Sequence, residues 1–217
     1  MRRLGLAVTV IVLSTLPAWA WAGASLTGPS GLIAIPTAEV LGMANWNVGA
    51  SVMQVEEGAD KSVLYADIGL LPRLEVGFAR EDFKDAATET LVNAKLGLAL
   101  PVPGNISLAA GVVDATDQID RSIYVVASHK LGAGLLPSPS RMTLPQVHVG
   151  IGGGRFDGLF AGISTIVDRR VEVMAEYDSD DFNFGARWTV APNLDATVAA
   201  MSGLQDLGAG LTLTRPW

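Results

Sequence analysis

The side chains most able to do chemistry are polar groups set inside otherwise apolar, alternating segments: Asp67, Glu75, Asn93, Lys95, Lys130, Glu172, Glu176, Asn183, Arg187 and Asp195. Acids, amides and cations interleaved in this way can pair with one another or hydrogen-bond a polar ligand. They do not form a catalytic constellation. His129 and His148 are the only histidines, and neither has an acid, a serine or a second histidine at catalytic spacing in the chain. No Gly-x-Ser-x-Gly elbow occurs. Gly150-Ile151-Gly152-Gly153-Gly154-Arg155 has the glycines of a phosphate loop but lacks the Lys-Ser/Thr and the following helix, so it reads as a turn. Asp178, Asp180 and Asp181 could offer oxygens to a hard cation, but without a full loop signature they read as a solvated hairpin tip. The absence of cysteine removes disulfides, thiolate metal sites and cysteine nucleophiles. No catalytic, cofactor-binding or metal-binding residue is therefore assigned, and the chain reads as non-enzymatic.

Composition narrows the partners. A net charge of −7 with only 15 lysines and arginines gives nucleic acid little to hold. With 49% hydrophobic and 17% charged residues, the chain is too apolar for disorder. Met1-Arg2-Arg3, the apolar run Leu4 to Leu16, and the small-residue stretch Ala18 to Ala24 have the three parts of a secretory signal peptide. The Ala-x-Ala spacing allows cleavage after Ala22 or after Ala24, and the second is taken as the boundary.

Beyond this leader no apolar run reaches the ~20 residues of a helical membrane span. The dominant pattern is alternation. In Val171-Glu172-Val173-Met174-Ala175-Glu176-Tyr177 the odd positions share an apolar face, and Phe182, Phe184, Ala186 and Trp188 do the same in the next segment. A hairpin turning at Ser179-Asp180 sets Val171 opposite Trp188, Ala175 opposite Phe184 and Tyr177 opposite Phe182. On the other face it sets Glu172 opposite Arg187 and Glu176 opposite Asn183. A slip of one residue would mix the two faces. Equivalent patterns predict strands at 45–55, 62–71, 73–81, 89–100, 105–114, 121–131, 145–152, 157–167, 170–178, 181–190, 193–201 and 205–215. Turns are expected at Pro72-Arg73, Pro103-Gly104-Asn105, Asp168-Arg169 and Pro192-Asn193, with a longer loop over 132–145.

Alternation fits both a soluble sandwich and a membrane barrel, and three features favour the barrel. The non-apolar positions are often Gly, Ala, Ser or Thr, as a crowded interior requires. Strand lengths cluster near the ~9–11 residues of a tilted crossing. The end, Leu211-Thr212-Leu213-Thr214-Arg215-Pro216-Trp217, is an alternating strand closing on an aromatic, similar to the signal read by the outer-membrane insertion machinery. The expected fold is an all-β, antiparallel, up-and-down transmembrane barrel of about twelve strands (range 10–14). Residues 1–24 are the signal peptide, 25–44 a leader or plug, and 45–217 the barrel. Within the leader, Leu32, Ile33, Ile35, Val40 and Leu41 need burial, which favours insertion into the lumen, and Thr37 to Leu41 could form a short helix. Asp67, Glu75, Lys95, Lys130, Glu172, Glu176, Asn183, Arg187 and Asp195 would then face the lumen as paired ladders that fill it. Removing either member of an Arg187–Glu172 pair would strand a charge.

Several of these residues also carry a resemblance. Leu159-Phe160-Ala161-Gly162-Ile163, the run Ala175 to Trp188, and Ala191-Pro192-Asn193-Leu194 resemble the YjbH-type exopolysaccharide proteins, as does the opening Gly28-Pro29-Ser30-Gly31-Leu32-Ile33-Ala34-Ile35-Pro36-Thr37-Ala38-Glu39-Val40. The resemblance implies an outer-membrane β-barrel of the Gram-negative envelope, here a short, single-barrel relative. It implies a role in exopolysaccharide production or export, with outer-membrane lipid, the insertion machinery and polysaccharide-export proteins as partners. The competing readings are a secreted or periplasmic β-sandwich binding carbohydrate or protein, and an outer-membrane enzyme.

Overall fold

Strands with a strict period of two and one apolar face must either stack or close, and these close. The computed structural model describes residues 22–56, 60–84, 86–99, 106–132 and 142–215. The strands are β1 (Trp46–Gln54), β2 (Lys61–Leu71), β3 (Leu74–Phe83), β4 (Thr88–Leu98), β5 (Ile106–Val113), β6 (Ser122–Lys130), β7 (Gln146–Gly152), β8 (Gly158–Val167), β9 (Val171–Tyr177), β10 (Phe182–Ala191), β11 (Leu194–Met201) and β12 (Asp206–Arg215). Each pairs antiparallel with its neighbours in sequence, and β12 returns to pair with β1 from Trp46↔Arg215 to Gln54↔Leu207. Closure leaves no unpaired strand edge, the condition for surviving in lipid.

The register of β9 and β10 is the one required by their two faces: Tyr177 opposes Phe182, Glu176 opposes Asn183, Glu172 opposes Arg187 and Val171 opposes Trp188. All expected strands are present, with ends displaced by no more than two residues. The Asp168-Arg169 turn has both residues in the left-handed region, with φ of 49° and 60°, closed by the Arg170 N–H donating to Val167 O at 3.1 Å. That is the turn whose twist matches its flanking strands. The signal peptide up to Trp21, the Pro103-Gly104-Asn105 turn, the centre of the 132–145 loop and the terminal Pro216-Trp217 lie outside the described residues.

Large apolar side chains point outward around the wall: Leu64, Phe78, Ile123, Leu159, Trp188 and Leu211 are each half exposed or more. Surface of this kind is unfavourable in water and favourable against acyl chains. The interior is filled in two ways. On one side Tyr124, Phe156 and Phe160 stack edge-on and tilted, with centroids 5.2 to 6.4 Å apart. The rest is filled by the chain's own N-terminal segment, which enters at the end of the barrel carrying both termini. It forms a short hairpin held by the bridges Ala24↔Ser30 and Gly31↔Pro36, and leaves at Asn45. Leu26, Leu32, Ile33 and Ile35 on it are all but completely buried, each contributing roughly 1.5–3 kcal/mol.

The segment therefore sits in the lumen as a plug, but the short helix expected over Thr37 to Leu41 does not form; that stretch is irregular. The reason lies in the barrel wall. The Ala38 N–H donates to Ser128 Oγ at 2.9 Å and the Leu41 N–H to Glu75 Oε2 at 3.0 Å. The one bond that would close a helical turn here, Leu41 N–H to Thr37 O, is replaced at both ends: Glu75 takes the donor, and Thr37 O accepts Lys95 Nζ at 3.3 Å.

Candidate functional site

Several of the polar residues converge where the plug meets the wall. Period two points Asp67 of β2, Glu75 of β3, Asn93 and Lys95 of β4, Glu176 of β9, Asn183 and Arg187 of β10, and Asp195 of β11 into the lumen, where all are buried. Glu172 also faces inward and is partly buried, while Lys130 lies at the terminal end of β6 and is exposed.

Four of these groups hold the plug through its main chain. The Arg187 guanidinium donates through Nη2 to the carbonyls of Ala24 (2.7 Å), Gly31 (3.0 Å) and Leu32 (3.0 Å), and through Nη1 to Glu172 Oε2 at 2.6 Å. The Glu176 carboxylate accepts the successive N–H groups of Ile33 (3.0 Å), Ala34 (2.8 Å) and Ile35 (3.5 Å), and is steadied by Asn183 Nδ2 at 3.0 Å. Consecutive amides turned toward one anion form a nest, here filled by a wall carboxylate. Glu75 accepts the N–H and hydroxyl of Ser30, at 2.9 and 2.6 Å. Lys95 Nζ lies 3.8 Å from Glu75 and donates to Ser30 O at 2.7 Å, to Thr37 O at 3.3 Å and to the Ser30 hydroxyl. Charges buried between wall and plug are thus partnered by peptide groups, which also need partners once buried.

Sequence reasoning paired these charges with one another across strands. The Arg187–Glu172 and Glu75–Lys95 pairs exist, but backbone partners on the plug outnumber them, and no spacing along the chain could reveal those. The wall also makes room for the plug. A Cβ on Gly162 would lie 2.6 Å from Leu32 Cδ1, and one on Gly185 would lie 2.9 Å from Ile33 Cδ1. The small inner residues that read as a crowded interior are the sockets for plug side chains.

One pairing was missed altogether. Ser128 Oγ and His148 Nδ1 are 2.7 Å apart across β6 and β7, and Glu39 of the plug reaches Ser128 Oγ at 3.3 Å and His148 Nδ1 at 3.9 Å. The 132–145 loop left the register of these strands open, and only that register brings the two residues together. The arrangement is not that of a hydrolase. The serine and the acid share one ring nitrogen instead of flanking the ring, and the serine and histidine are both buried. Its effect is to clamp Glu39, which also accepts from Gln146 Nε2.

The remaining sequence motifs are structural. The Asp178 carboxylate accepts the N–H groups of Asp180 and Asp181 and Asn183 Nδ2, closing its own hairpin tip. In the glycine-rich run, Gly150 gives room to the Phe160 ring, and the Arg155 N–H donates to Ser122 Oγ at 2.7 Å.

At the terminal end a vestibule of about 700 Å³ lies against the plug. Gly23, Lys130, Arg170, Glu172, Arg187 and Asp195 are among the residues around it. Deeper, only about 20 Å³ remains beside Gly23, Gly31, His148, Glu172 and Arg187, room for a single water.

A closed twelve-stranded antiparallel barrel has counterparts of known structure. The chain is similar to a KdgM porin over 79% of its own length and 99% of the porin's, with a TM-score of 0.52 at 9% identity. A KdgM porin in complex with disordered oligogalacturonate aligns over the same shares with a TM-score of 0.51 at 10% identity. No family model and no curated protein matches the sequence. At such identity the likeness is one of fold: a twelve-stranded, porin-like antiparallel barrel. What occupies the lumen is read from this chain's own contacts.

Proposed function

We propose that the chain is a non-enzymatic outer-membrane β-barrel, closed by its own N-terminal segment and working in or beside exopolysaccharide production or export. The observation that carries the closed-barrel reading is the buried contact of Arg187, Glu176, Glu75 and Lys95 with the plug backbone. Wall charges spent on a plug are unavailable to a permeating solute. The outward apolar belt supports residence in lipid, and the porin-like fold supports the outer membrane in particular. The polysaccharide role is supported by the resemblance of the 28–40, 159–163 and 175–194 segments to YjbH-type proteins. The plug would then act as a gate or as a rigid platform facing the periplasm, where export proteins assemble.

The experiment has two arms. Membrane fractionation, with gel mobility compared before and after boiling, should place the protein in the outer membrane as a heat-modifiable band. A freely soluble periplasmic product would sink the barrel reading. Surface polysaccharide should fall in cells lacking the protein and recover on complementation; unchanged polysaccharide would remove the export role and leave the barrel standing.

A further inference from the structure

The sequence leaves two bonds open to a signal peptidase, and the plug discriminates between them. We propose that the mature chain begins at Gly23, so that the processing site is the Ala22–Gly23 bond and the new amino terminus is a working part of the vestibule. This rests on the export reading above. The step is hydrolysis: water adds across the Ala22–Gly23 amide, the leader departs with the Ala22 carboxylate, and Gly23 keeps the amine, which takes up a proton. Ala20 and Ala22 present the two small side chains such a peptidase accepts.

Residues 23 and 24 belong to the folded plug. Gly23 O accepts the Gly31 N–H at 2.8 Å, Ala24 O accepts Arg187 Nη2 at 2.7 Å, and Ala24 bridges to Ser30. Cleavage after Ala24 would delete both acceptors. It would also leave the buried Arg187 guanidinium short of one of its three plug carbonyls. A buried cation stripped of an acceptor is costly. Cleavage after Ala22 loses one long contact, Asn47 Nδ2 to Ala22 O at 3.4 Å. Gly23 is half-buried, lies against the Arg187 guanidinium and borders the vestibule, which is open to water and lined by the carboxylates of Glu172 and Asp195 as acceptors for the amine's hydrogen bonds. Lys130, Arg169, Arg170 and Arg187 border the same space, so water access is essential to holding another cation there.

The test is intact-mass spectrometry of the full-length gene product purified from the membrane fraction. The expected product starts at Gly23. A product starting at Ser25, lighter by one glycine and one alanine residue, would overturn the proposal and leave export intact, as would one starting at Trp21. A chain still carrying Met1 to Ala22 would overturn both.

Discussion

Arg187 does three jobs with one planar group: it pairs with Glu172, gathers three plug carbonyls, and closes the floor of the vestibule. Arg187→Met keeps the length and removes the donors, leaving those carbonyls and Glu172 unpartnered. Urea unfolding in detergent micelles should show a loss of about 3 kcal/mol, with the plug released before the wall. A second prediction concerns Asp114, at the start of the loop joining β5 to β6. Burial works against its charge, but hydrogen bonds from the N–H groups of Gln118, Ile119 and Asp120 and from the Thr116 hydroxyl outweigh that and hold the carboxyl below its usual range. A carboxyl depressed in the folded state contributes stability above its unfolded value of about 3.9, and that contribution disappears as pH falls through the lower folded value. Amide exchange in 115–120 should therefore stay slow at neutral and mildly acidic pH and quicken in stronger acid, while Asp114→Asn should exchange quickly at neutral pH. Neither role was legible beforehand. Arg187 was placed on the inner face by alternation alone, yet its carbonyl partners lie on a segment without periodicity, and Asp114 is identified only by the turn it nucleates.

The β9–β10 hairpin was readable because two strands supplied independent faces that agree in one register only. The β6–β7 pairing was not, because the connection over 131–145 fixes no register, and Ser128–His148 was hidden with it. The Thr37 to Leu41 helix failed for a related reason: local pattern allows it, but Glu75 and Lys95 claim the Leu41 donor and the Thr37 acceptor that would close it. At this scale the plug sockets can be tested directly. Gly162→Val places side-chain atoms where Leu32 and Ile35 already sit, so the variant should lose about 1–3 kcal/mol and expose the plug to limited proteolysis while the strands remain. In the opposite direction, Arg169 pays a left-handed backbone at φ 60° in the Asp168-Arg169 turn. Arg169→Gly should raise the unfolding free energy by up to about 1 kcal/mol, measured by the same urea titration.

For the molecule as a whole, the decisive property is that the plug blocks the lumen. Planar-bilayer recordings should show no long-lived open steps for the wild type and stable ones for a protein lacking 25–43, and open steps of equal size in both would refute closure by the plug. Closure and the strand count of twelve follow from alternation, short turns and an apolar outer face, which is why they could be anticipated. The path of the plug could not be, since apolar residues that need burial do not say against what. The wall grips that path by its peptide groups: Glu176 binds three amides and Arg187 three carbonyls, whatever side chains those residues carry. The lock therefore reads the shape of its key everywhere and its letters only where side chains are seated, at Leu26, Ser30, Leu32, Ile33 and Ile35. Mutational tolerance should divide accordingly, with Ala34 free to vary and Gly28 fixed, because φ is +113° there and a Cβ would lie 3.0 Å from Tyr65. A plug held this way can change its exposed chemistry through substitutions at positions such as Ala34, with the wall left untouched.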